Sequence, residues 1–515
     1  MAAPHAPETN PPPSPEPPSP TQTSAAAHQA SSMAVTTWLR WIGAGLSNDL
    51  KRSRHLVSRF AGWALVLAPL AVATGVLGAL FLQTLKCVTL WRFHHGWILW
   101  GLPVAGVAVA LAYRFVTGLF QQRGRTGAPA PFKAFGDGAP LVMVPMAFGA
   151  ATISHLFGAS VGREGTALQM AGGLADGLAR LCRMDARRRK LIILSGVSAG
   201  FGAVFGTPVA GTLFGLEVTA LGEMGYGALL PCAFTALVAD QTCRVTSAYI
   251  GFERLDGHMS FQPFYSGHWA FTGPDPWLMA KVGVAGLAFG VVSRLYAGGI
   301  RQARALSARL CAVQWLRPAL GGVATLALVW LCGSDDFLGL GIVAPQPHGA
   351  SVVNFFGQHH YAWAWAWKLL FTLVALGCGF RGGEVTPMFF IGAGLGNALA
   401  PWLGAPTPLL AAAGFAAVFA GAANTPLTCT VMAAEIFGSA NLAYYAMACI
   451  IAYAVSGHDG LYGFQRVMTP KYWYEEFAAG LTVEELRARQ QRAHHGLARY
   501  GKALLRHNKG RWIRF

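Results

Sequence analysis

The chain has 515 residues, 54% of them hydrophobic and only 12% charged, where a soluble protein would be about a quarter charged. With a mean hydropathy of +0.41, this composition excludes a soluble enzyme and predicts an all-α polytopic membrane protein. The net charge of +17 reads as basic segments gathered at one membrane face, Lys51–Arg54, Arg187–Lys190, Arg301–Arg309 and Arg487–Arg514, and not as a surface for nucleic acid.

In chain order, residues 1–35 are rich in Pro, Ser and Ala and predict a disordered tail. No basic stretch running into an apolar core opens the chain, so no signal peptide is expected. Residues 36–60 are basic and partly amphipathic and predict an interfacial helix. A first membrane unit is expected over 61–245, with spans at Ala61–Leu82 and Trp97–Tyr113, an aromatic loop at Trp91–Trp97, and a linker or half-helix over Arg114–Phe135. From Ala139 the apolar segments become short and Gly-interrupted: Ala139–Phe157, Thr166–Leu181, Leu191–Val204, Val209–Leu221 and Ala228–Ala239. Several fall below the roughly 20 residues that a crossing needs. Broken helices at membrane depth belong where they are buried or line a polar cavity.

A polar linker, 246–275, leads to a second unit over 276–468. It opens with spans at Trp277–Ser293 and Pro318–Leu331 and again turns to short segments. A basic tail, 469–515, follows, in which Thr482-x-x-Glu485 is a capping box opening a helix. Nine scattered cysteines show no CxxC or Cys/His pairing, so no metal and no cofactor is expected.

Chemistry concentrates in two related motifs. Gly162-Arg163-Glu164-Gly165-Thr166 precedes an apolar run, and Gly382-Gly383-Glu384-Val385-Thr386 does so again about 220 residues later. Pro208 is followed nine residues on by Glu217, and Pro426 nine residues on by Glu435. Repetition in fixed order predicts a duplicated transport fold with its site where the halves meet. Glu164 is placed at a helix N-terminus, where free N–H groups and the positive end of the dipole make an anion site. A carboxylate there competes with any dissolved anion, as a gate would.

These residues, with the late Tyr462, resemble the CLC family of chloride channels and anion/proton antiporters over about Ala61–Met468. The resemblance implies two inverted-topology repeats of long, tilted and broken helices, and a homodimer in the cell membrane with a pore in each subunit and both termini cytoplasmic. It implies gating and proton transfer by Glu164, and anion binding by Gly162, Arg163, Gly165, Thr166, Val385, Thr386 and Tyr462. Three departures resemble the fluoride-exporting branch. Thr166 stands where chloride carriers have Pro, and Glu384-x-Thr386 stands for Phe-x-Pro. Val218 occupies the place of the internal proton-transfer glutamate. Glu384 is then the second proton carrier, the alternative being a carboxylate that caps its own helix; Glu217 beside Val218 reads as structural. The family's serine-bearing loop matches Gly124-Arg125-Thr126-Gly127 best, which places Arg125 there. Gly136–Pro140 looks closer in sequence, but Asp137 is only 27 residues before Glu164, too few for the helix between them.

Two other readings compete. Gly158-x-Ser160-x-Gly162 matches the nucleophile elbow of serine hydrolases, a motif that needs a strand before it; His155 reads instead as a buried, hydrogen-bonded residue. The second is a chloride/proton antiporter or chloride channel of the same fold. Fluoride is expected over chloride, because hydroxyls and protonated carboxyls suit a small, strongly accepting anion. The expected partners are thus fluoride or chloride, protons, membrane lipid and a second copy of the chain.

Overall fold

The computed structural model describes residues 62–122, 139–251, 274–458, 460–472 and 479–489, without the side chains of 119–122. The Pro-rich tail, the expected interfacial helix, Arg125, Asp137 and the basic segment after Arg489 lie outside the described residues, as does most of the linker. Residues 66–515 form one compact unit, apart from residues 1–65.

The described residues are mostly helical. In the first half the helices are α1 (Gly62–His94), α2 (Leu102–Gln122), α3 (Met143–Leu156), α4 (Glu164–Leu181), α5 (Ala186–Phe205), α6 (Pro208–Glu217) and α7 (Leu229–Tyr249). The second half holds α8 (Pro276–Leu310), α9 (Arg317–Cys332), α10 (Ala364–Gly377), α11 (Val385–Leu403), α12 (Thr407–Ala423), α13 (Pro426–Phe437) and α14 (Leu442–Val455). Among the described residues, four segments are long and apolar enough to cross a membrane: Gly62–His94, Gly96–Gly118, Pro276–Leu310 and Gln314–Cys332. Helices α3, α10, α12, α13 and α14 are apolar and shorter.

Three spans outrun their expected ends. The expected loop Trp91–Trp97 is helical as far as His94, α2 continues nine residues past Tyr113 to Gln122, and α8 carries the basic run Arg301–Arg309 to Leu310. A hydropathy window stops at the edge of the apolar run, whereas a helix continues while its backbone bonds are made and its polar side chains reach water.

Local chemistry sets the element ends. Proline stands at the first turn of α6, α8, α9 and α13, where a missing N–H costs nothing. Asp185 and Asp275 cap α5 and α8 through bonds from Arg188 N and Trp277 N. Asn424 takes the left-handed conformation that ends α12 (φ 58°). Helices α11 and α12 approach until backbones touch: a Cβ on Gly392 would sit 2.0 Å from Gly414 O, so only glycine fits.

The two halves interlock by a reciprocal bond at their shortest helices. Glu217, at the last residue of α6, accepts from Leu427 N (3.1 Å), Thr428 N (2.8 Å) and Thr428 Oγ1 (2.6 Å) at the start of α13. Glu435, near the end of α13, accepts from Val209 N (3.0 Å) and Ala210 N (2.8 Å) at the start of α6. Each helix ends in the carboxylate that satisfies the other's free N–H groups. The pair therefore runs antiparallel, as inverted repeats require.

Three two-residue strands were not expected. β1 (Ala220–Leu221), just after α6, pairs in parallel with β2 (Arg466–Val467), which pairs antiparallel with β3 (Leu481–Thr482). The capping box has its expected form, with Thr482 N donating to Glu485 (2.8 Å) and Glu485 N to Thr482 Oγ1 (3.1 Å) ahead of helix 483–489. All nine cysteines are free thiols, and no group of metal-binding side chains occurs among the described residues.

Candidate functional site

The two repeated motifs meet. Gly162 N donates to Gly383 O and Gly383 N to Gly162 O, each at 2.6 Å, in an isolated antiparallel bridge. A Cβ on Gly383 would lie 2.8–3.0 Å from the amides of Arg163, Glu164 and Gly165, so a side chain there would force the loops apart. This crossing brings the N-termini of α4 and α11 together, and both present free N–H groups and positive dipole ends to one point.

Glu164, the first residue of α4 and 1% exposed, places its carboxylate at that point. Its Oε2 accepts from Thr386 N (2.9 Å) and Arg163 N (3.2 Å), and also from the Thr386 hydroxyl. Oε1 lies 3.5 Å from Arg163 Nε. Arg163 N also donates to Thr386 Oγ1 (3.3 Å), which fixes the hydroxyl in place. A buried carboxylate thus rests in a nest of N–H and O–H donors built by both halves. Any anion accepting from those donors must displace it.

Of the other residues expected at the site, all but Arg125 lie within the described residues. Gly165 and Thr166 lie buried in the first turn of α4, and Val385 is the buried first residue of α11. Tyr462 is 1% exposed, and its ring meets Phe214 edge-on at 6.4 Å. Its loop is fastened to the end of α12, where Leu461 N donates to Ala422 O (2.9 Å) and Gln465 Nε2 to Ala423 O (2.8 Å). Val218 is fully buried and ends α6. Glu217 is structural, as expected, through its bonds to α13.

Glu384 departs from the alternative of a self-capping carboxylate. It is the N-cap residue of α11, yet its side chain makes no cap bond. Instead Oε1 accepts from Arg304 Nη2 on α8 at 2.8 Å. Its backbone carbonyl accepts from the Tyr296 hydroxyl at 2.7 Å. Its carboxylate therefore leaves the Glu164 nest to Thr386 and faces α8.

Sequence reasoning missed Tyr296 and Arg304, since nothing in the spacing of α8 links it to a motif 80 residues on. It also missed a nest of rings beside the crossing. Phe389 stacks on Phe415 (4.0 Å) and meets Phe205 (5.5 Å) and Phe419 (5.6 Å), while Phe201 stacks on Phe214 (4.6 Å). Phe205, the last residue of α5, and Phe389, the fifth of α11, look like ordinary core in sequence.

The hydrolase reading fails on geometry. Helix α3, and no strand, precedes Gly158; Ser160 Oγ pairs with Thr372 Oγ1 (3.1 Å); and His155 Nδ1 is bonded to Ala151 O (2.7 Å). Nucleophile and base therefore have other partners, as the reading of His155 as a core residue anticipated.

Comparisons with known proteins agree with this arrangement. Residues 113–457 match the family model described as voltage gated chloride channel. The chain is 43% identical over 441 residues to the chloride/fluoride channel protein of Pseudomonas syringae pv. tomato, covering 83% of this chain and 92% of that one. It is similar to the crystal structure of a CLC-type fluoride/proton antiporter, with a TM-score of 0.68, 29% identity and coverage of 79% and 98%. A slow cyanobacterial Cl⁻/H⁺ antiporter shares the fold, with a TM-score of 0.59 at 19% identity and coverage of 76% and 94%. With its crossed glycine loops, buried Glu164 carboxylate and late tyrosine, the chain belongs to the voltage gated chloride channel family, the CLC anion channels and anion/proton antiporters, and is most like the fluoride-exporting branch.

Proposed function

We propose that this membrane transporter exports fluoride in exchange for protons that enter, with Glu164 as both gate and proton carrier. The observation that carries the reading is the Glu164 carboxylate seated on Thr386 N, Thr386 Oγ1 and Arg163 N where two helix ends converge. Ionised, Glu164 fills the place of an anion; protonated, it loses most of its attraction for the donors and yields the site. Entry of the anion and loading of the proton are thus linked through one group.

The donors favour fluoride. A hydroxyl and two amides offer short, directed hydrogen bonds, which a small and strongly accepting anion exploits more fully than chloride does. Thr386 supplies two of the three. The resemblance to a fluoride/proton antiporter and to a chloride/fluoride channel protein supports the same substrate. Glu384 serves as the second proton-handling group, since Val218 offers no carboxylate at the end of α6. Tyr462, Thr166, Gly162, Arg163 and the amides of Gly165 and Val385 complete the anion path, to which the match of its loop assigns Arg125 as well.

By the same family likeness, the protein works as a homodimer in the lipid of the cell's inner membrane, with both termini cytoplasmic. The uncovered apolar residues Val209, Leu230, Leu237, Leu427 and Ile450 on α6, α7, α13 and α14 suit contact with lipid or a second copy. The membrane units are 61–245 and 276–468, joined by the linker 246–275; 1–35, 36–60 and 469–515 stay on the cytoplasmic side.

The test is efflux from liposomes loaded with fluoride or chloride, with external pH recorded together with the anion. Fluoride should leave at least about tenfold faster than chloride, a difference of about 1.4 kcal/mol in barrier, and should draw protons the other way. Equal rates, or faster chloride, would make the protein a chloride/proton antiporter or chloride channel. Anion release without proton movement would make it a channel.

A further inference from the structure

The second carboxylate, Glu384, is 5% exposed, yet the cation it holds is not buried: the Arg304 side chain is 55% exposed against 6% for Glu384, across 2.8 Å. A guanidinium uncovered to that extent is costly in hydrocarbon and settles where water or lipid headgroups reach it. The ion pair therefore marks a place where the aqueous phase comes within one hydrogen bond of a buried carboxylate.

The contacts of α8 say which phase this is. Asp275, before its first turn, donates to Tyr444 at the start of α14 (2.9 Å), Ser293 donates to Val418 late in α12 (2.8 Å), and Ser307 donates to Gly377 at the end of α10 (2.8 Å). Arg304 therefore lies toward the end of α12, whose Ala422 and Ala423 fasten the Tyr462 loop. Arg304 thus opens on the Tyr462 side of the gate.

We propose that Arg304 is a positioning residue for proton transfer: it holds the ionised Glu384 carboxylate toward water on the Tyr462 side, so that protons carried past Glu164 leave there. This rests on the reading of Glu384 as a proton-handling group. Arg304 carries no proton itself, because a guanidinium stays protonated. Its work is to draw Glu384 off the anion path once the carboxylate has lost its proton to water. A protonated Glu384 is not bound by charge, and its carboxyl can turn along the α11 N-terminus toward the gate. Other groups near this pair are Tyr296 on α8, whose hydroxyl donates to the Glu384 carbonyl, Arg381 before α11 with its guanidinium over the Tyr113 ring (4.5 Å), Glu164 on α4, and Tyr462. Arg304 makes the ion pair with the carboxylate.

The experiment compares wild type, E384Q, R304Q and R304H as full-length protein in liposomes, measuring protons taken up per fluoride released. R304Q should take up about tenfold fewer protons per fluoride, because the buried carboxylate has lost the cation that holds it. R304H places a cation at this point only below about pH 6.5. It should be coupled at about pH 5.5 and uncoupled at about pH 7.5, a change that damage to the fold would not produce within one variant. If E384Q is uncoupled but R304Q keeps wild-type coupling, the role of Arg304 is refuted and that of Glu384 survives. R304H that behaves alike at both pH values, inactive or coupled, refutes it too, even where R304Q fails to assemble. If E384Q is itself fully coupled, the reading of Glu384 falls and the inference with it.

Discussion

A single carboxylate oxygen, Glu164 Oε2, gathers donors from both halves of the chain. Removing its charge while keeping its shape separates its two roles. In E164Q the amide can still meet the Thr386 hydroxyl but can neither ionise nor compete as an anion. Fluoride movement should persist while fluoride-driven proton uptake falls to the level of empty liposomes; intact coupling in this variant would remove Glu164 from the mechanism. The place of Glu164 at a helix start was legible in the sequence because the chemistry is local: glycines, an acid and a helix start within a few residues. The direction of Glu384 was not. Both motifs read alike, but Glu164 faces Thr386 and Glu384 faces Arg304, and that difference is decided by a helix 80 residues away. Tyr462 was legible only through the resemblance, since nothing in its own surroundings distinguishes it from an interfacial ring.

Short helices carry the next level of organisation. α6 and α13 cross no membrane alone, and each has polar groups at its ends that hydrocarbon would not satisfy. Their crossed carboxylates resolve this within the protein. Glu435→Ala removes both acceptors from Val209 N and Ala210 N, leaving helix-end donors unpaired at a cost of about 1–3 kcal/mol. Thermal unfolding of the detergent-solubilised variant should shift down, and E217A should act alike. Because both acids hold the same pair of helices, the double variant should lose less than the sum of the two; strict additivity would show that the two ends act independently. The fixed nine-residue spacing of proline and acid made the repeat visible in the sequence, but the partner of each acid was not, since a carboxylate at a helix end satisfies its own helix as readily as a neighbour on paper. The strands β1–β3 escaped notice because two residues cannot display alternation. α1 and α8 were read short because their last turns are polar.

At the scale of the whole molecule, composition and broken apolar segments identify an inverted-repeat membrane fold, and spacing brings the two glutamate motifs to its centre. Substrate is a finer matter, since one fold carries either halide. Cells that depend on this protein should tell the two apart. Loss of the chain should make them sensitive to fluoride and more so at acid pH, where uncharged HF crosses the membrane and dissociates inside. Growth unaffected by fluoride at any pH would favour the chloride reading.

The exchange of carboxylates between α6 and α13 also bears on how the protein is made. When Glu217 leaves the ribosome, the amides it will bind still lie about 210 residues further along the chain, not yet made, and Glu435, which α6 needs, comes later still. The first half therefore enters the bilayer with a bare helix start and an unmatched acid at its core. Neither is settled until its counterpart arrives. Insertion of the early half is thereby provisional, and the late half acts as its template, so that the two copies of an ancient duplication mature as one event.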